Sequence, residues 1–393
     1  MSKIFIDGLG LVEGHFSGVG QYILGIVQGL DQILEDAKNR GEQVPSIKVI
    51  IPYNTVNKFN EFGFKHISYK KFPLPFRYMA ALWYRGRLPY IDLWCGSGKY
   101  MFPRFVDMPL LFSKSNILTI FDLSYELYRQ YSDEGNASFL SKAVRRSINN
   151  TQSVITISQN AKSELVDFYK LPTKTVKVAT PAVDQTHFYR RSPQEIADSK
   201  YRYGIKAKNY ILALSNLEPR KNLEALVDCY CSLPADLRKD TALLLVGVNG
   251  WKADKLFKKI LIKVEEGYDI IRPNSYVSDN DKPAVISGAS MLVYPSHYEG
   301  FGMPPLEALA CGVPVITANN SSLPEVVGTA GKMIPSDDNK KLLEAITEYL
   351  NNIDKYTKRA KIEGPKQAER FSWKKSAEVY YNILIKDSKT KDD

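Results

Sequence analysis

Hydrophobic and polar positions follow two rhythms along this chain, and the rhythms take turns. Short apolar runs at Lys3–Ile6, Ser46–Pro52, Asn116–Ile120, Ser153–Ile157 and Val176–Ala179 are too brief for helices and predict buried strands. Between them the spacing lengthens. Tyr22, Ile23, Ile26, Val27, Leu30 and Ile33 recur at helical intervals and predict a helix over Val19–Ile33. Ala137–Asn149 and Ala161–Tyr169 are further predicted helices, the second with Ser158 as N-cap. Strands alternating with helices predict βαβ units on a parallel sheet.

After the polar stretch Gln185–Arg202, read as a linker, the series restarts. Tyr210–Ser215, Ala242–Val246, Ile270–Pro273, Met291–Tyr294 and Val313–Thr317 predict strands. Leu223–Ser232, Lys252–Glu266, Lys282–Gly288, a segment near Pro324–Val327, Asn339–Asn352 and Trp373–Ile385 predict helices. The chain therefore reads as α/β throughout, in two Rossmann-like halves. The expected domains are 1–184 and 185–372, with a terminal helix over 373–390 packing back on the first.

At 393 residues and 44% hydrophobic content, the chain is long enough for two cores. No apolar run reaches the roughly 20 residues that span a bilayer. The sequence enters a strand at Lys3, so no signal peptide is expected and a cytoplasmic protein is. Four cysteines (Cys95, Cys229, Cys231, Cys311) are too few for a disulfide scaffold. The four histidines have no ligand spacing, so no metal site is expected. The net charge is +10, and the first 190 residues carry 23 Lys and Arg against 16 Asp and Glu. A basic surface attracts phosphates, acidic lipids or nucleic acid. No nucleic-acid motif accompanies the charge, so no nucleic-acid partner is expected. The mixture of cations and aromatics over Tyr69–Arg85 reads either as a helix with a buried aromatic face or as a surface that meets an anionic membrane.

The densest chemistry lies in His297-Tyr298-Glu299-Gly300-Phe301-Gly302-Met303-Pro304-Pro305-Leu306-Glu307-Ala308. Gly300 and Gly302 permit close backbone approach to a ligand, and Pro304-Pro305 suits a first helical turn. A helix opening beside a glycine loop, at the carboxyl end of the strand Met291–Tyr294, is where open α/β sheets bind phosphates. The segment resembles the Glu-x7-Glu signature of the retaining GT-B glycosyltransferases of the family-four, or group 1, type. That resemblance implies a GT-B architecture of two Rossmann-like domains with a cleft between them. It implies that Glu299 holds sugar hydroxyls near the reacting carbon, that Glu307 binds ribose hydroxyls, and that Gly300, Phe301 and Gly302 line the donor.

Two further segments extend the resemblance. Glu218-Pro219-Arg220-Lys221-Asn222 follows a strand and precedes a helix, with Asn222 as an expected N-cap. Adjacent cations there can neutralise a diphosphate. The segment resembles the family's phosphate motif, which implies catalytic and donor-binding roles for Arg220 and Lys221. Val277, in Asn274–Asp279, resembles the turn whose backbone holds the base. Gly18 and Gly20 resemble the loop facing the transferred sugar. The block Asn320–Val326 also resembles the family and reads as mainly structural.

The pattern breaks after Ile120. Many relatives carry His-Asp there; this chain has Phe121-Asp122, and Phe121 cannot donate or shuttle a proton. Asp122 remains, either orienting hydroxyls or capping the strand end. His15 is a distant substitute.

The implied activity is retaining, metal-independent transfer of a sugar from a nucleotide diphosphate to a glycan or lipid-linked glycan in surface polysaccharide synthesis. GDP-mannose is the first expectation for the donor, with dTDP-rhamnose and UDP-hexoses open. The nucleotide sugar is a substrate, so no cofactor is expected. The alternative is a non-catalytic GT-B subunit that steers a partner enzyme. An epimerase or phosphorylase on the same fold would need acid–base groups or a pyridoxal motif that do not stand out here.

Overall fold

A computed structural model describes residues 3–12, 18–73, 75, 78, 83, 88–113 and 115–386. The chain forms two units. One comprises Met1–Leu127, Glu134–Pro181 and Ser372–Asp393; the other comprises Tyr128–Asp133 and Ala182–Phe371.

The first unit is built on seven strands: β1 (Lys3–Asp7), β2 (Ser46–Pro52), β3 (Ser68–Phe72), β4 (Lys99–Phe102), β5 (Ser115–Thr119), β6 (Thr151–Thr156) and β7 (Val176–Val178). They lie in the order β3-β2-β1-β4-β5-β6-β7, and every pairing is parallel. Ile4, Ile6, Val49, Ile51, Met101 and Ile117 are fully or almost fully buried, as expected where helices cover both faces of a parallel sheet. Asp7 ends β1 fully buried, its Oδ2 2.5 Å from Arg104 Nε. Burial pushes its carboxyl up against the pull of that guanidinium.

A 22-residue helix, Gly18–Asn39, packs against the C-terminal helix Trp373–Lys386. The contact is close because glycine faces it. A Cβ at Gly25 would stand 2.3 Å from Trp373 Cδ2, and one at Gly29 would stand 2.7 Å from Ala377 Cβ. Beneath the two helices, the Tyr22 hydroxyl donates to Ala179 O (2.8 Å) and meets the Tyr380 hydroxyl at 3.0 Å. Thr119 Oγ1 lies 2.8 Å from the same Tyr380 oxygen. These buried hydroxyls satisfy one another.

The second unit has six parallel strands: β8 (Asn209–Leu214), β9 (Thr241–Val246), β10 (Ile270–Ile271), β11 (Met291–Tyr294), β12 (Val315–Ala318) and β13 (Lys332–Ile334). Their order is β10-β9-β8-β11-β12-β13. The chain winds outward from β8 in one direction and then, from β11, in the other. The gap between the carboxyl ends of β8 and β11 is therefore a topological switch point, where open α/β sheets take ligands. Its core is aliphatic, with Ile211, Leu243, Leu245, Met291, Val293 and Ile316 packed under the helix Asn339–Asn351.

Several local expectations change. Gln185–Arg202 is not all linker: Pro193–Arg202 is a helix, opened by a reciprocal capping box between Ser192 and Glu195. It buries only Ser199, so no apolar stripe announced it. The sequence pattern does not mark β3, β4 or β13 either. β4 is four residues long with Tyr100, Met101 and Phe102 fully buried, so it offers no alternation to read. Gly18 and Gly20 belong to the first turn of the helix rather than to a free loop. His15 lies outside the described residues, as do positions 74, 76–77, 79–82 and 84–85 of the cation–aromatic stretch. In the described part of that stretch, Phe72 and Trp83 are buried, their rings 6.0 Å apart. Among the described residues, no helix is long and apolar enough to cross a membrane.

Candidate active site

The chain leaves β8 through Ser215–Leu217, which continues alongside the end of β9. Ser215 N donates to Val246 O (3.0 Å) and Leu217 N to Val248 O (2.9 Å). Gly247 makes this possible: its φ is +152°, and a Cβ there would lie 1.8 Å from Ser215 O. The backbone then closes a single 3-10 turn, Pro219–Lys221, in which Lys221 N donates to Glu218 O (3.0 Å). Asn222 follows with φ +55°. It is not the expected side-chain N-cap of Leu223–Cys231. Its amide instead donates to Ser336 O (2.7 Å) and Pro295 O (3.3 Å), tying the turn to the segments after β13 and β11.

This turn delivers Arg220 and Lys221 to the switch point, and the segment after β11 delivers Glu299 to meet them. Lys221 Nζ donates to Glu299 Oε1 (2.6 Å) and to the Tyr294 hydroxyl (2.9 Å). Arg220 NH1 lies 3.0 Å from Glu299 Oε2 and donates to Tyr298 O (2.6 Å), while NH2 donates to Glu218 Oε1 (2.7 Å). Glu218, Lys221 and Glu299 are all buried. Burial by itself raises the Glu299 carboxyl, but Arg220 and then Lys221 outweigh it and hold it down at about 2. Glu218 was not singled out from sequence. Its place in the Glu-Pro-Arg-Lys-Asn run was the only signal, and its work is to orient the guanidinium.

The loop is braced from behind. Glu299 N donates to Ser321 Oγ (3.0 Å), and Ser322 Oγ donates to Glu299 O (2.8 Å) and Phe301 O (2.7 Å). Gly302 turns at φ +118°, with room for no side chain before Leu323 Cδ2. The helix Met303–Ala310 then begins with Pro304 and Pro305 in its first turn. Gly300 and Phe301 are buried, and Phe301 meets Phe371 edge-on at 5.4 Å.

Glu307, in the same helix, is buried and 3.6 Å from Lys282 Nζ, which also reaches Asp279 at 3.1 Å. Burial pushes the Glu307 carboxyl up, and Lys282 opposes it. Lys282 is itself raised, because Glu307 and Asp279 outweigh the burial that lowers it. Val277 is buried just before this turn, and Ser278 N donates to the Tyr203 hydroxyl (3.1 Å). Lys282 lay outside the resemblance and carried no signal of its own.

Arg220, Lys221, Val277, Gly300, Phe301, Gly302, Glu299 and Glu307 thus all belong to the second unit. Gly18, Gly20 and Asp122 belong to the first. Asp122 Oδ1 accepts from Ser124 N (2.9 Å), which is a strand-end cap. Phe121 is buried, 5.2 Å edge-on from Tyr22 and 5.3 Å from Phe105. Among the described residues, no cluster of three or more His, Cys, Asp or Glu side chains could hold a metal ion.

Residues 196–367 match the family described as Glycosyl transferases group 1. The chain is 34% identical over 257 residues to the O-antigen chain mannosyltransferase B of Escherichia coli, covering 65% of this chain and 66% of that one. It is 29% identical over 231 residues to the serotype-specific mannosyltransferase WbdA of Escherichia coli, covering 58% of this chain and 28% of that one. The chain therefore spans just under two thirds of the first relative and little more than a quarter of the second. Among solved structures, HepE of Anabaena in complex with UDP and glucose superposes with a TM-score of 0.71 at 16% identity, over 98% of this chain and 100% of that one. The two parallel-sheet units are those of the GT-B fold. With its match over the second unit and the likeness to mannosyltransferase B, the chain belongs to the group 1 glycosyltransferases.

Proposed function

We propose that this protein is a retaining mannosyltransferase that moves mannose from GDP-mannose to a glycan or lipid-linked glycan of the O-antigen kind. One observation carries the reading: two cations, the partly buried Arg220 and the buried Lys221, converge with Glu299 at the β8–β11 switch point, beside the helix that holds the buried acid Glu307. The mannosyltransferase names of the relatives support the sugar.

The chemistry follows from what such groups do. Breaking the bond between the sugar and the diphosphate builds negative charge on the leaving phosphate. Arg220 and Lys221, with the amides at the start of Met303–Ala310, stabilise that charge without reorganising. Glu307 accepts from the ribose hydroxyls and fixes the nucleoside. Glu299 accepts from hydroxyls of the sugar. An oxygen of the departing phosphate takes the acceptor's proton, so Phe121 need not supply a base. The acceptor would lie against the first unit, and a peripheral position on an anionic cytoplasmic membrane face accords with the basic charge.

The test is a donor panel of GDP-, UDP- and dTDP-sugars with a mannose-terminated lipid-linked acceptor, the product anomer being read by NMR. Consumption of GDP-mannose with an α-linked product is expected. Turnover of a UDP- or dTDP-sugar instead would replace the donor. Nucleotide binding with no transfer to any acceptor would favour the non-catalytic subunit.

A further inference from the structure

The Glu299 carboxylate stands directly between the two cations of the donor site. Its Oε1 takes Lys221 at 2.6 Å and its Oε2 takes Arg220 at 3.0 Å. Both carboxylate oxygens are therefore committed, one to each cation, in the way two oxygens of a bound diphosphate would be. Lys221 is further held by the Tyr294 hydroxyl at 2.9 Å, and Arg220 by Tyr298 O at 2.6 Å and Glu218 at 2.7 Å. The cations are thus fixed by other partners, and the carboxylate is the anion they share.

Resting on the donor-site reading above, we propose that Glu299 is an internal competitor of the donor diphosphate. The diphosphate engages Arg220 and Lys221 by displacing the carboxylate, and the displaced carboxylate then accepts from the hydroxyls of the arriving sugar. A buried carboxylate deprived of both cations is costly unless something else donates to it. A nucleotide sugar brings those donors. A nucleoside diphosphate does not.

The consequence is selectivity between substrate and product. With the sugar present, the diphosphate and Glu299 both have partners. Once the sugar has gone to the acceptor, Glu299 keeps only the neutral hydroxyls of Ser296 and Tyr294 and returns to the cations, which weakens the hold on the nucleoside diphosphate. Glu299 is then a product-release residue as well as a sugar-binding one.

The experiment is calorimetric titration of the full chain with GDP and with GDP-mannose, with UDP and dTDP run in parallel. Wild type, Glu299→Gln, Glu299→Asp and Lys221→Ala are compared. Glu299→Gln is expected to bind the nucleoside diphosphate about tenfold tighter or more, while its affinity for the nucleotide sugar stays level or falls. Glu299→Asp keeps the charge but draws it back by one methylene. It is expected to shift affinity in the same direction by less, and it carries the test if Glu299→Gln does not fold. Unchanged or weaker binding of the nucleoside diphosphate in both variants overturns the proposal. Lys221→Ala separates the two levels. Lost binding supports the donor site even if Glu299 proves passive. Full binding in Lys221→Ala, or no binding by any form of the protein, overturns the donor site and this proposal together.

Discussion

Lys282 Nζ lies 3.6 Å from Glu307 Oε1, so the second acid of the signature is buried beside a cation the signature does not contain. Burial raises the Glu307 carboxyl and Lys282 restrains it. Only the ionised carboxylate offers a full acceptor on each oxygen to a pair of ribose hydroxyls. Lys282→Ala should therefore raise the carboxyl further and weaken nucleotide binding about tenfold, as the loss of the cation nearest the buried carboxylate requires. The loss should grow as pH falls, because a raised acid protonates sooner. Titrations from pH 8 to pH 5.5 check this, and a variant profile parallel to wild type would show that Lys282 does not support Glu307.

Lys221→Ala should lower kcat/KM by roughly 100- to 1,000-fold, the usual effect of removing one preorganised donor to developing charge. It should also destabilise the fold by about 3 kcal/mol, because the buried Glu299 loses its buried cationic partner. The double variant Lys221→Ala/Glu299→Ala should lose less stability than the two single losses added together. Urea unfolding of the four proteins measures this, and strict additivity would mean the two side chains do not act as a pair.

Glu299 also sets an acid limit. Its folded pKa of about 2 lies below the ordinary glutamate value of 4.5, so its contribution is complete above pH 4.5 and is lost as pH falls toward 2. The shift corresponds to a contribution on the order of 3 kcal/mol. Unfolding midpoints of Glu299→Gln measured between pH 7 and pH 3 should fall less steeply than those of wild type.

Gly247→Ala should cost about 3 kcal/mol, because the new Cβ would be driven to 1.8 Å from Ser215 O at a positive φ. Gly267 is the control. Its φ is +89° but nothing lies within 4 Å, so Gly267→Ala should cost only about 1 kcal/mol. Equal losses would show that backbone conformation, and not the meeting of β8 with β9, sets the cost.

The cluster of Arg220, Lys221, Glu299 and Glu307 was legible in sequence because its residues are compressed into two short runs, Glu218–Asn222 and His297–Glu307, each at a strand end. What sequence could not supply was orientation. Asn222 is the right residue type for a cap, yet its φ of +55° aims the amide at Ser336 and Pro295 instead. Lys282 is one lysine among many until the turn after Val277 brings it to Glu307. Strands stood out where an uninterrupted apolar run marked them, even short ones such as β11, and were missed where cations break the run, as Lys70 and Lys71 do in β3. Phe121 read as a missing histidine; in the fold it is a packed core ring between Tyr22 and Phe105, so its neighbours are those of a hydrophobic residue.

The seat of Trp373 against Gly25 bears on the order in which this protein can mature. The first sheet is laid down within the first 178 residues of the chain, but the helix that covers Tyr22 is made only after all the strands of the second unit. On the ribosome, the group around Tyr22, Ala179 and Thr119 must wait for Tyr380 while the whole second unit emerges and folds. The later unit is continuous enough to finish first. A nascent chain halted before Ser372 would therefore show a protease-resistant second half attached to an unfinished first one.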